Sequence, residues 1–184
     1  MRTRTAIVVF VAVVASSCSG SQTVAEVNDH PITAEQVTAL SAEGEDEPVY
    51  SAALFRRNLT LLIFNTAFRT AAESEFGIEG LNDADRLADR IANPPPEQVA
   101  IFANIAANPD TTSGLLDTAA EFFLIRDAVL AQLIPDQLSR DPALISEAWD
   151  DWSVTAMEAA EVAVASQIGV WDGPGSRILP PPSG

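Results

Sequence analysis

The run Leu59-Thr60-Leu61-Leu62-Ile63-Phe64-Asn65-Thr66-Ala67-Phe68 is apolar on nearly every side of the helix that its surroundings predict. It lies inside the longest helical pattern of the chain, from about Val49 to Phe76. A helix that is apolar all round must be buried on most of its faces. Gly77 follows where a helix commonly ends in left-handed backbone, and Ile78 is placed to fold back on the last turn. The fold therefore has to supply a wrapping for this one helix.

The rest of the sequence reads as that wrapping. Thr23-Val24-Ala25-Glu26-Val27 alternates like a half-buried strand, Asn28-Asp29 offers a turn, and His30-Pro31-Ile32 reads as a second short strand at an edge. Thr33 to Gln36 is a capping box opening a short helix through Val37 and Leu40. Four further helices are predicted beyond the long one. One runs from Asn82-Asp83 to Ile91 and stops at Pro94-Pro95-Pro96; the next runs from Glu97 to Ala107. Another spans Leu115 to Ile134, with Leu116, Phe123, Leu130 and Ile134 on one stripe, and the last leaves Asp141-Pro142 towards Ala160. Residues 161–165 then read as a strand, followed by glycine-rich chain and a Pro180-Pro181-Pro182 tail with no core to join. The fold class expected is mainly α: one domain of about six helices. A small β element pairs the hairpin at about 23–32 with the strand at about 161–165.

Met1 to Ser17 has the form of a secretory signal peptide: two arginines, an apolar run from Ala6 to Ala15, and a small-residue exit. Cys18 follows immediately and is the sole cysteine, so it has no internal disulfide partner. The segment resembles the lipobox of bacterial lipoproteins, although Ala15 stands where Leu is preferred and Ser17 where Gly or Ala is commoner. The resemblance implies a lipidated Cys18, a tether over residues 18–22, and anchoring at the outer face of the cell membrane, since two or more acyl chains hold firmly. An ordinary cleaved signal ending near a cysteine is the other reading.

The opening Val24-Ala25-Glu26-Val27-Asn28-Asp29-His30-Pro31-Ile32-Thr33-Ala34-Glu35 resembles the start of SurA-type chaperone domains, which often accompany parvulin prolyl isomerases. Phe76-Gly77-Ile78 is similar to the end of that family's long helix. Glu161 to Asp172 resembles the close of its exported actinobacterial members, with Ser166-Gln167-Ile168 as a departure. The matched residues cluster at the two ends of 23–172, and 173–184 is read as a Pro/Gly-rich tail. The resemblance implies a chaperone-like body that shields extended or partly folded polypeptides. No stretch between Leu81 and Asp141 reads as a parvulin sheet, so isomerase activity is not expected and the chain is read as a non-enzyme.

Chemistry in the sequence is sparse. One His, one Tyr, one Cys and no Lys leave few catalytic groups, and 26 acids against 10 arginines give a net charge of −16. That balance repels phosphate backbones and excludes nucleic acid as a leading partner. Glu43 to Pro48 is acidic but lacks the alternation of a calcium loop, so a solvated loop is expected, with no metal and no cofactor. Asp83, Asp85 and Asp89 run beside Arg86 and Arg90, as on an exposed face laced with ion pairs. His30 reads as a surface residue, and Trp149, Trp152 and Trp171 as core anchors. Adjacent helical residues point about 100° apart, so one of Phe122-Phe123 has to leave the main stripe. Phe122, Phe123 and Phe55 are the candidate client-binding residues. The function expected is a non-catalytic, membrane-anchored lipoprotein that binds unfolded or partly folded exported polypeptides. A structural adaptor docking one fixed envelope protein is the alternative.

Overall fold

A computed structural model of the chain describes residues 22–41, 51–134 and 141–182. The leader, Cys18 and the acidic segment 43–48 lie outside the described residues. The chain enters as β1 (Thr23–Val27), turns, and returns as β2 (His30–Thr33). Asn28 and Asp29 both take positive φ, 48° and 65°, the mirror-image turn that suits the twist of a two-residue hairpin. Strict alternation in β1 fails at one place: Val24 and Ala25 are both buried. The register explains it, since Thr23 opposes Thr33 and Ala25 opposes Ile32, which makes Val24 the extra residue of a bulge.

Thr33 caps α1 (Ala34–Thr38) reciprocally. Its Oγ1 accepts from the Gln36 N–H at 3.3 Å, and the Gln36 Oε1 accepts from the Thr33 N–H at 2.8 Å. The apolar run becomes α2 (Ala52–Phe76), closed by Gly77 at φ 66°. α3 (Ala84–Ala92) and α4 (Val99–Ala107) pack against α5 (Ser113–Leu133), while α5 and α6 (Pro142–Ala159) pack against α2. α6 starts as its sequence requires, with Pro142 at the first turn and the Asp141 carboxylate accepting from the Ala143 N–H at 2.9 Å. α5 opens against the end of α1. The Thr112 hydroxyl donates to the Ala39 carbonyl at 2.6 Å, and a Cβ on Gly114 would lie 2.7 Å from that same oxygen.

After α6 the chain forms β3 (Val162–Val164), which pairs antiparallel with β1 and completes a sheet of order β2-β1-β3. The two ends of the domain are thus joined, as expected. Asn28 fastens the joint: its N–H donates to the Glu161 carbonyl at 3.0 Å, and its Oδ1 accepts from the Glu161 N–H at 2.8 Å. Its Nδ2 donates to Thr70 on α2 at 2.8 Å. The expected end of the domain at Asp172 needs correction. β4 (Val170–Asp172) and β5 (Arg177–Leu179) form a second hairpin, and Ile178 is buried in the core under the first sheet. The Gly-Pro-Gly sequence that reads as an irregular end is the loop of that hairpin. A tail without a core begins only at Pro180.

Two clusters of buried side chains flank α2. One holds Val27, Ile32, Val37, Leu59, Ile63 and Ala67 beneath the three-stranded sheet. The other joins Phe68 and Ala72 to Leu81, Ile125, Val129, Trp152 and Ala156. No helix among the described residues is long and apolar enough to cross a membrane.

Candidate functional site

α2 and α5 run alongside one another and meet through a polar seam. The buried Asn65 amide donates to the Thr118 carbonyl at 2.7 Å and to Glu121 Oε2 at 3.2 Å. Arg69 Nε donates to Glu121 Oε1 at 3.0 Å. Burial pushes the Glu121 carboxyl above its ordinary range, opposed by the Arg69 charge and by hydrogen bonds from Asn65 and Arg69. The seam fixes the spacing of the two helices from one side.

On the other side the helices leave an apolar groove of about 380 Å³. Leu61, Phe64 and Phe68 supply its α2 wall; Leu115, Ala119, Phe122 and Phe123 supply its α5 wall. Asn65 and Thr118 at the floor direct polar groups into the helices: the amide to Thr118, the Thr118 hydroxyl to the Gly114 carbonyl at 2.8 Å. The groove therefore offers hydrocarbon surface and almost no hydrogen-bonding capacity. It can take side chains from a partner, but it has little to offer a desolvated peptide backbone.

Aromatic rings hold the walls in place. Phe122 meets Phe123 and Trp149 edge-on at 5.4 and 5.5 Å, and Trp149 meets Phe68 edge-on at 5.4 Å. Phe68 stacks on Phe64 at 5.9 Å. Phe123 rests on Phe102 of α4 at 5.7 Å, and Trp171 of β4 stands edge-on to Phe64 at 6.3 Å. Such contacts add about 0.5–1.5 kcal/mol each beyond their buried area.

Of the three candidate client-binding residues, Phe122 and Phe123 both line the groove while remaining half-buried in the packing. Phe55 does not. It packs against the core under the sheet and borders a separate small recess with Ile168. Phe64 and Phe68 belong to the surplus of aromatics from which the sequence could build such a groove; Leu61, Leu115 and Ala119 carry only the signal of spacing, since 61, 64 and 68 share one helical face, as do 115, 119 and 122. The predicted stripe on α5 also shifts. Its fully buried positions are Ala120, Ile125 and Val129; of the predicted stripe Ile134, at the helix end, is buried, whereas Leu116, Phe123 and Leu130 are only half-buried. Glu121, one turn before Ile125 on the inward face, masks that stripe in the sequence.

The remaining expectations fall as follows. His30 is exposed in β2, and among the described residues no group of His, Cys, Asp or Glu is arranged to hold a metal ion. Residues 81–134 form α3, α4 and α5 and contain no strand. Trp152 is buried and donates to Glu75 Oε2 at 2.9 Å, while Trp149 and Trp171 are half-buried. The ion-paired face expected on α3 is a different structure. Arg90 turns inward to Asp127 at 2.6 Å and to Gln98 Oε1 at 2.9 Å, and Arg86 donates to the carbonyls of Glu79 and Gly80. Those bonds fasten α3 to α5 and to the chain leaving α2. No family model, no curated protein and no solved structure matches this chain.

Proposed function

We propose that this protein is a non-catalytic, membrane-anchored lipoprotein of the SurA-like chaperone type, which shields apolar segments of unfolded or partly folded exported polypeptides. The groove between α2 and α5 carries the reading. A holder of unfolded chains needs standing apolar surface rather than a catalytic constellation, and a groove with almost no polar capacity favours side chains that a native client would bury. The strongly acidic chain adds solubility to an apolar surface and steers neutral or basic clients towards it. The leader and Cys18 support placement at the outer face of the cell membrane. The order of hairpin, capped helix, long helix and returning strand supports kinship with SurA-type domains.

The test is suppression of aggregation. The full chain at several-fold molar excess is expected to slow light scattering by a chemically unfolded substrate, and Phe122→Ala/Phe123→Ala is expected to remove most of the effect. Unchanged scattering with the wild-type chain would sink the reading. The anchor is tested by acyl labelling in cells, with wild type labelled and Cys18→Ala blank.

A second reading is an adaptor that docks one fixed envelope protein. The ring contacts that lock Phe68, Phe122 and Trp149 favour it, because a rigid pocket suits one complementary partner. Crosslinking in cells separates the two: many client bands indicate the chaperone, and one discrete band indicates the adaptor.

A further inference from the structure

Phe64 and Phe68 form a ridge with a recess on each side. Beyond them from the α2–α5 groove, a cleft of about 640 Å³ lies between α6 and the β4–β5 hairpin. Val154 and Met157 of α6, Val162 of β3, Trp171 of β4 and Pro174 form its walls, and Ser153, Glu158 and Ser176 add polar groups absent from the first groove.

Two features make this cleft specific. The first is a sheet edge. β3 ends the order β2-β1-β3, and the bonds Asn28 N–H to Glu161 and Ala165 N–H to Val24 set its phase. Residues 161, 163 and 165 face β1, so Val162 and Val164 direct their N–H and C=O groups to the opposite edge. The second is charge. From Asp141 to Ser176 the chain carries seven acidic residues and no Arg or Lys. Asp150, Asp151, Glu158 and Glu161 are all exposed. The first base beyond this stretch, Arg177, is held by Asp172 at 3.4 Å.

We infer that this cleft binds an extended, cationic polypeptide segment as an added strand on β3. Apolar residues of the segment seat against Trp171, Met157 and the Phe64–Phe68 ridge, and its Lys or Arg residues meet the acids of α6 and of the α6–β3 junction. The inference deepens the chaperone reading and rests on it for the identity of the ligand as a client. Strand addition supplies backbone hydrogen bonds that the α2–α5 groove lacks, and alternation sends side chains to two faces, one apolar and one acidic. Complementary charge governs capture and makes it sensitive to salt.

The probe is a fluorescein-labelled eleven-residue peptide alternating Phe or Val with Arg, measured by anisotropy against the full chain. Its counterpart with Glu for Arg, a version N-methylated at alternate residues, and the Glu158→Lys/Glu161→Lys protein are each expected to bind about tenfold more weakly or worse. Both substitutions are at exposed positions, and circular dichroism checks that the variant is folded. Asp85→Lys/Asp110→Lys, the same change of charge at exposed positions outside the cleft, is expected to bind the peptide as wild type does. Equal binding of the acidic peptide, or full binding by the charge-reversed protein, overturns the cleft. Equal loss of binding in the Asp85/Asp110 variant also overturns it, because net charge rather than the cleft then governs capture, and leaves the chaperone reading intact. Peptide binding here with no suppression of aggregation by wild type overturns the chaperone reading and leaves the cleft standing.

Discussion

α2 is packed in two different materials on its two sides. Towards the sheet, Leu59, Ile63 and Ala67 meet Val27, Ile32 and Val37, all aliphatic and all buried. Towards α5, α6 and β4, Phe64 meets Trp171, Phe68 meets Trp149 and Trp152, and Trp149 carries the contact on to Phe122. The aliphatic side is the more tightly closed, with recesses of about 210 Å³ at its margins, because small branched side chains interdigitate with a pleated strand surface. The aromatic side does not close. Large planar rings meet at edges and offsets with centroids between 5.4 and 6.5 Å, and the spaces between them remain as the two recesses. One helix thus serves a sealed core on one face and an accessible apolar surface on the other.

The comparison breaks hardest at Ile63. It is fully buried on the sealed side, so Ile63→Ala leaves a cavity and is expected to cost about 2–5 kcal/mol in urea unfolding. A cost under 1 kcal/mol would mean that this face is no better packed than the other. Asn28→Ala comes next. It removes the bonds to Thr70 and to the Glu161 N–H and places alanine at positive φ, for an expected loss of about 2 kcal/mol. Asn28→Gly keeps the turn and loses only the bonds. Hydrogen exchange should show β3 amides opening first in both variants; uniform loss of protection across the domain would deny Asn28 its role as fastener.

The sealed side was largely legible in the sequence. The capping box at Thr33, the Asn28-Asp29 turn, the Gly77 helix end and the returning strand at 162–164 are local signals with local causes. The bulge at Val24 was not legible, since nothing in the residue types marks which strand position is doubled. The β4–β5 hairpin was missed because three glycines and a proline within seven residues resemble loop, and the buried Ile178 is a single apolar residue without a pattern. On the open side, Phe122-Phe123 marks the groove because adjacent rings about 100° apart cannot both enter the core, and both line it. Phe55 lies away from that groove, and the sequence does not show it, because aromatic character alone does not say which face of α2 a residue occupies. Its place depends on the sheet, which is distant in sequence.

Phe122→Ala sharpens the comparison from the other direction. The ring is half-buried, so its loss is expected to cost about 1–2 kcal/mol, less than Ile63→Ala, while most of the aggregation suppression disappears. The two variants should therefore rank oppositely in unfolding and in client protection. The same rank in both assays would mean that the groove is merely an imperfect core.

The smallest effect, and the one that isolates the seam between the two helices, is the pH dependence carried by Glu121. Its folded pKa is raised above the ordinary 4.5, with burial as the largest cause, Arg69 and Asn65 opposing and Glu73 adding to the rise. Between the unfolded value and the higher folded value the native state binds more protons than the unfolded chain. The contribution of Glu121 to stability is therefore greatest at acid pH and declines as pH rises from about 4.5 through the folded pKa. Glu121→Gln removes the titrating carboxyl, so the pH dependence of the difference between the two proteins isolates it. Urea midpoints measured from pH 5 to 7 are expected to fall in wild type relative to Glu121→Gln. A flat difference would show that the seam is solvated. A difference of opposite sign would show that Arg69 and Asn65 outweigh burial, making the seam a stabilising bond between α2 and α5 rather than a strained floor beneath the groove.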